Sequence, residues 1–146
     1  MIALIQKVSK AYVEVGNEKI SEIGKGLLVF LGVEKQDSKK DIEYLVNKIV
    51  NLRVFEDKNG KMNLSLKDVN GEIMVVSEFT LLGNCKKGNR PSFEKAMPPQ
   101  EAEKIYREFI DHLKKTGISV KEGSFRSFMH VYLINEGPVT FILNTR

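Results

Sequence analysis

Gly26-Leu27-Leu28-Val29-Phe30-Leu31-Gly32 is a run of five large apolar residues held between two glycines. It shows no polar alternation, so neither of its faces suits water, and its length predicts a central strand covered on both sides. Such a strand requires neighbouring strands beside it and helices or a second layer over it. That requirement sets the fold class before any motif is read.

Outward from this run, residues 2–8 and 12–15 read as two strands, followed by a turn at Gly16-Asn17. Ser38 with Asp41 three residues on resembles a capping box, and Ile42, Leu45, Val46, Ile49 and Val50 fall on one helical face, predicting a helix over 38–51. Residues 53–55 read as a short strand and Asp57-Lys58-Asn59-Gly60 as a turn. A strand over 72–80 follows, with Ile73-Met74-Val75-Val76 as its core, and then a polar loop over 83–90. Pro98-Pro99 opens a second helix whose apolar face is Ala102, Ile105, Tyr106, Phe109 and Leu113 and which ends before Gly117. Residues 118–143 return to strands. The pattern predicts one α/β domain over 1–146: a β-barrel-like mixed or antiparallel sheet with two main helices.

With 146 residues, 42% hydrophobic and 29% charged, the chain has the composition of a folded globular domain. A net charge of +4 is compatible with a phosphate-bearing partner without demanding one. A single cysteine, Cys85, permits no intrachain disulfide, which fits a reducing compartment. No apolar stretch approaches the roughly 18 residues of a membrane span, and the N-terminal segment lacks the pattern of a signal peptide. The expectation is a cytoplasmic protein without membrane contact.

Conventional catalytic constellations are missing. His112 lies beside the apolar stripe of the second helix, where the helix C-terminus favours an imidazole, and His130 alternates with Phe128 and Tyr132 along a strand. Both read as structural. One cysteine and two isolated histidines do not make a metal site, and Cys85 has no evident base. No metal and no cofactor is expected.

Two polar clusters at strand ends remain. In Ser77-Glu78-Phe79-Thr80 a strand of branched apolar residues ends in two hydroxyls, a carboxylate and a ring. Alternation puts Ser77 and Phe79 on one face and Glu78 and Thr80 on the other, so the four converge only where the strand twists or bulges. In Asn135-Glu136-Gly137-Pro138-Val139-Thr140 a Gly-Pro pair interrupts a strand pattern, at the one kind of peptide bond where cis is cheap. Either cluster also reads as an ordinary strand terminus or turn.

Ser77-Glu78-Phe79-Thr80 closely resembles the Ser-Gln-Phe-Thr signature of the D-aminoacyl-tRNA deacylases, and Gly137-Pro138-Val139-Thr140 resembles their Gly-Pro-Val-Thr signature. Met1-Ile2-Ala3-Leu4-Ile5-Gln6, Gly60-Lys61-Met62-Asn63-Leu64 and Arg90-Pro91-Ser92-Phe93 are similar to that family as well, so the likeness spans the chain. It implies a homodimer that hydrolyses the ester of D-aminoacyl-tRNA, and of glycine mischarged on tRNA-Ala, releasing the free amino acid and tRNA. It also implies catalytic roles for Ser77, Phe79 and Thr80 and substrate binding by Glu78, Met129, Gly137, Pro138, Val139 and Thr140. In that picture the Gly137-Pro138 bond is cis and reaches the partner's pocket, where its carbonyls exclude an L side chain.

The resemblance leaves attack to the Thr80 hydroxyl or to water activated by the 2′-hydroxyl of the terminal adenosine, and the latter is favoured because no base for Thr80 is evident. Two positions depart from the family pattern: Glu78 stands where Gln is commonest, and Arg126 stands in Phe125-Arg126-Ser127-Phe128-Met129 where a small residue is common. Lys86, Lys87 and Arg90 are candidates for RNA contact. Two other readings stay open on sequence alone: an inactive nucleic-acid-binding or interaction module on the same fold, and an L-specific editing domain.

Overall fold

The computed structural model describes residues 1–146. In chain order it contains β1 (Ile2–Val15), β2 (Glu18–Ile23), β3 (Gly26–Gly32), α1 (Lys39–Asn51), β4 (Phe55–Glu56), β5 (Met62–Leu64), β6 (Glu72–Ser77), a 3-10 turn (Phe79–Leu82), α2 (Pro99–Lys114), β7 (Ser119–Glu122) and β8 (His130–Asn144). The main sheet runs β2-β1-β3-β6-β7, with β8 on the other side of β1. β1 is antiparallel to β2, β3 and β8, whereas β3–β6 and β6–β7 are parallel, so of the two expected arrangements, mixed or antiparallel, the sheet is mixed.

The apolar run does form the central strand. Leu27, Val29 and Leu31 join the larger core, which also takes in Ile42, Leu45 and Ile49 of α1 and Tyr106 and Phe109 of α2. Leu28 turns the other way, into a smaller core with Val8, Ala11, Val13, Ile23, Met74 and Val76. Gly26 opens the strand because a Cβ there would sit 1.8 Å from the Glu72 carbonyl oxygen of β6. The sheet curls until β2 meets its far edge: Ser21 Oγ donates to the Glu122 carbonyl of β7 at 2.7 Å, and just beyond β2 the Gly24 N–H donates to Glu72 Oε1 of β6 at 3.0 Å. This is the expected barrel-like closure.

Both helices follow their sequence signals. The Ser38 N–H and hydroxyl each donate to Asp41 Oδ2 at 2.8 Å at the start of α1. α2 has Pro99 in its first turn and is pinned to the sheet by the Tyr106 hydroxyl donating to the Val75 carbonyl at 3.1 Å. Burial of that phenol raises its pKa well above the usual tyrosine range.

Four boundaries differ from the sequence reading. The strands expected at 2–8 and 12–15 are one strand, because β1 changes partner from β3 to β2 while staying paired to β8 across two register shifts. The strand expected at 53–55 lies at Phe55–Glu56, since the Arg53 side chain is engaged with Asn63 of the facing β5. The strand expected over 72–80 stops at Ser77, where the Glu78 N–H makes the last bond, 2.8 Å to the Leu31 carbonyl, as β3 itself runs out. Within 118–143, residues 123–129 leave the sheet and form a turn between β7 and β8.

Candidate active site

The early end of β6 creates the site. After Ser77 the chain turns through Glu78, with φ −142° and ψ 91°, into the 3-10 turn, and this brings Ser77, Glu78, Phe79 and Thr80 together on one cleft of about 700 Å³. The convergence that strict alternation forbade comes from a change of secondary structure. The N–H groups of Phe79 and Thr80 open the turn and donate to no acceptor in the chain. Phe79 is exposed and sits edge-on to Phe93, with ring centroids 4.9 Å apart.

The opposite wall is the 125–129 segment. Ser127 N–H donates to the Ser124 carbonyl at 3.2 Å, and the two serine hydroxyls lie 2.6 Å apart, closing a tight turn. Arg126, in this turn, has φ +61°. Met129 lines the cleft as expected and accepts at its sulfur from the Ser124 N–H, 3.3 Å away. Met97, Pro98 and Pro99, at the entry to α2, complete the enclosure.

The Thr80 hydroxyl donates to Glu78 Oε1 at 2.8 Å. No base for this hydroxyl was evident in the sequence, and the carboxylate two residues away is its hydrogen-bond partner. Glu78 and Arg126 are the two charged side chains among those lining the cleft, and no ion pair joins them.

Gly137, Pro138, Val139 and Thr140 do not line this cleft. They belong to β8, where pairing with β1 passes from Val8–Asn135 to Gln6–Thr140 and leaves 136–139 looped out opposite Lys7. Asn135 clamps the loop: its Oδ1 accepts from the Val139 N–H at 2.7 Å, and its Nδ2 donates to Thr140 Oγ1 at 2.9 Å. Val139 is buried, Gly137 and Pro138 are exposed, and the bond between them is cis. The two signatures therefore occupy separate places in the chain's fold.

A family model described as D-Tyr-tRNA(Tyr) deacylase matches residues 4–144. The chain belongs to the D-Tyr-tRNA deacylase family. Among relatives of this family, the protein named D-aminoacyl-tRNA deacylase in Thermodesulfovibrio yellowstonii is 77% identical over 146 residues, covering 100% of both chains. Its namesake in Thermotoga petrophila is 50% identical, with 99% of this chain and 97% of that one covered. A solved structure titled c-Myc DNA Unwinding Element Binding Protein superposes with a TM-score of 0.95 at 45% identity, covering 100% of this chain and 99% of that one. A second, titled as a probable eukaryotic D-amino acid tRNA deacylase, shares the fold with a TM-score of 0.83 at 16% identity, covering 97% of each chain.

The remaining candidates of this family member fall outside the cleft. His112 Nδ1 lies 2.8 Å from the Glu108 carbonyl of its own helix, and His130 packs edge-on to Phe128 at 5.3 Å. Cys85, Lys86, Lys87 and Arg90 are exposed on a loop closed by a bridge between Asn84 and Ser92, next to the cleft residue Phe93. No helix is long and apolar enough to cross a membrane. Phe93, Met97, Pro98 and Phe125 also line the cleft without having stood out in the sequence as site residues; the family-like stretch Arg90-Pro91-Ser92-Phe93 was the one signal for them.

Proposed function

We propose that the protein hydrolyses the ester of D-aminoacyl-tRNA, and of glycine on tRNA-Ala, with rejection of L-amino acids. One observation carries the reading: the Ser77–Thr80 signature lines a cleft and presents the free N–H groups of Phe79 and Thr80. An aminoacyl ester is already activated, so hydrolysis chiefly needs a placed attacking oxygen and donors aimed at the developing oxyanion. The two N–H groups are those donors. The 2′-hydroxyl of the terminal adenosine activates the attacking water, since a carboxylate is too weak a base to generate an alkoxide on Thr80. Glu78 then holds the Thr80 hydroxyl in one orientation.

The chiral step requires a second copy of the chain. Gly137 and Pro138 are exposed and away from their own cleft, on a strand that also exposes Phe141, Ile134 and Ile142 at 38%, 56% and 67%. In the proposed homodimer these side chains are buried, and the 137–138 carbonyls of one protomer serve as the gate at the cleft of the other. Main chain suits rejection of an L side chain because it has no rotamer in which to retreat. Val139 and Thr140 support the loop through the core and through Asn135.

The test is deacylation of D-tyrosyl-tRNA and L-tyrosyl-tRNA under identical conditions. Release of D-tyrosine at least about a hundredfold faster is expected, a difference of about 2.7 kcal/mol between transition states. Equal rates would overturn the reading. The 45%-identical structure titled as a DNA-unwinding-element binding protein motivates a second reading, a nucleic-acid-binding module, for which neither ester would turn over.

A further inference from the structure

Glu78 and Arg126 are the two charged side chains lining the cleft. Glu78 has an internal partner in Thr80. Arg126 has none: no ion pair or side-chain hydrogen bond of the chain involves its guanidinium, and the residue is exposed on the cleft wall.

Its backbone makes the choice of residue more pointed. Arg126 occupies the third position of the Ser124–Ser127 turn at φ +61°, where glycine fits freely and a long L side chain rarely sits. The Ser124 and Ser127 hydroxyls, 2.6 Å apart, hold the turn closed around it. A non-glycine residue held at φ +61° on a cleft wall is a backbone outlier of the kind that clusters at binding and catalytic sites. An arginine offers a rigid fork of N–H donors matched to phosphate oxygens.

We infer that Arg126 binds the phosphodiester on the 5′ side of the terminal nucleotide and so anchors the RNA end beside the Ser77–Thr80 segment. The inference rests on the proposed RNA-ester substrate, which carries a phosphate one sugar away from the ester. Arg126 is thus a substrate-binding residue, acting on the RNA backbone while the 77–80 segment acts on the ester.

The test uses two non-hydrolysable probes, 3′-(D-tyrosylamino)-adenosine with and without a 5′-phosphate, titrated against the intact protein and its R126K and R126G variants. Wild type is expected to bind the phosphorylated probe about tenfold more tightly, the scale of one charge-assisted hydrogen-bonded contact. R126G, whose glycine suits the turn and whose fold is checked by circular dichroism, should lose this preference, and R126K should recover part of it. The slope of log affinity against log salt for the phosphorylated probe should become shallower by about one in R126G. No phosphate preference in wild type, or a preference that R126G retains, overturns the assignment. A phosphate preference that depends on Arg126 in a protein that hydrolyses neither D- nor L-ester would uphold this assignment while sinking the proposed hydrolysis.

Discussion

At the residue scale, the contact that separates two mechanisms is the 2.8 Å hydrogen bond from Thr80 Oγ1 to Glu78 Oε1. If the substrate's 2′-hydroxyl drives hydrolysis, Thr80→Val removes one hydrogen bond of about 1 kcal/mol, and kcat on D-tyrosyl-tRNA should fall by no more than about tenfold. The wild-type enzyme acting on tRNA ending in 2′-deoxyadenosine should then lose at least about a hundredfold, the scale of a missing general acid–base group. The reverse pattern would make Thr80 the nucleophile. The 77–80 cluster was legible in the sequence as a set of polar residues ending an apolar strand. Their mutual geometry was not, because it depends on where β3 stops supplying hydrogen-bond partners, which no local pattern records.

At the scale of elements, turns and caps carry the acid sensitivity. The Asp57 carboxylate accepts from the N–H groups of Lys61 and Asn59 in the β4–β5 turn, and that of Asp68 accepts from the Ser65 N–H beside the Ser65 hydroxyl; both are held below the usual aspartate range. At the start of α1, partial desolvation of Asp41 acts upward but is outweighed by the Ser38 N–H and hydroxyl, and its pKa is also lowered. A carboxyl that binds its proton less tightly folded than unfolded stabilises the fold above its unfolded pKa, and this contribution disappears as pH falls through the folded value. Urea midpoints should therefore hold steady from neutrality to about pH 5 and fall from about pH 4 downward, and Asp41→Asn should flatten part of that fall. An unchanged pH profile in the variant would remove the cap from this account. The α1 cap was readable because a capping box is a three-residue rule. The unity of β1 was hidden, because a strand that exchanges one neighbour for another looks in sequence like two strands around the polar Ser9-Lys10 pair.

At the scale of the whole molecule, the prediction concerns assembly. Ile134 and Ile142 are exposed on β8, and a symmetric interface would bury each of them twice. At about 1.5–3 kcal/mol per buried isoleucine, Ile142→Lys should weaken dimerisation by at least about a hundredfold. Light scattering should then report a monomer with unchanged far-UV circular dichroism and with D-ester hydrolysis largely lost. A variant that stays dimeric and active would exclude this face as the interface. Periodicity, capping and turn chemistry act within a few residues, so the covered central strand, the two amphipathic helices and the positions of both signatures were legible in the chain, and the sheet was legible as barrel-like but not as mixed rather than antiparallel. Long-range pairing alone brings Ser77–Thr80 onto one cleft with Arg126 and Met129 and leaves Gly137-Pro138 outside it. That outcome depends on how far β6 runs beside β3, how residues 123–129 leave the sheet, and where β8 loops away from β1, all set by pairing between residues far apart in the chain.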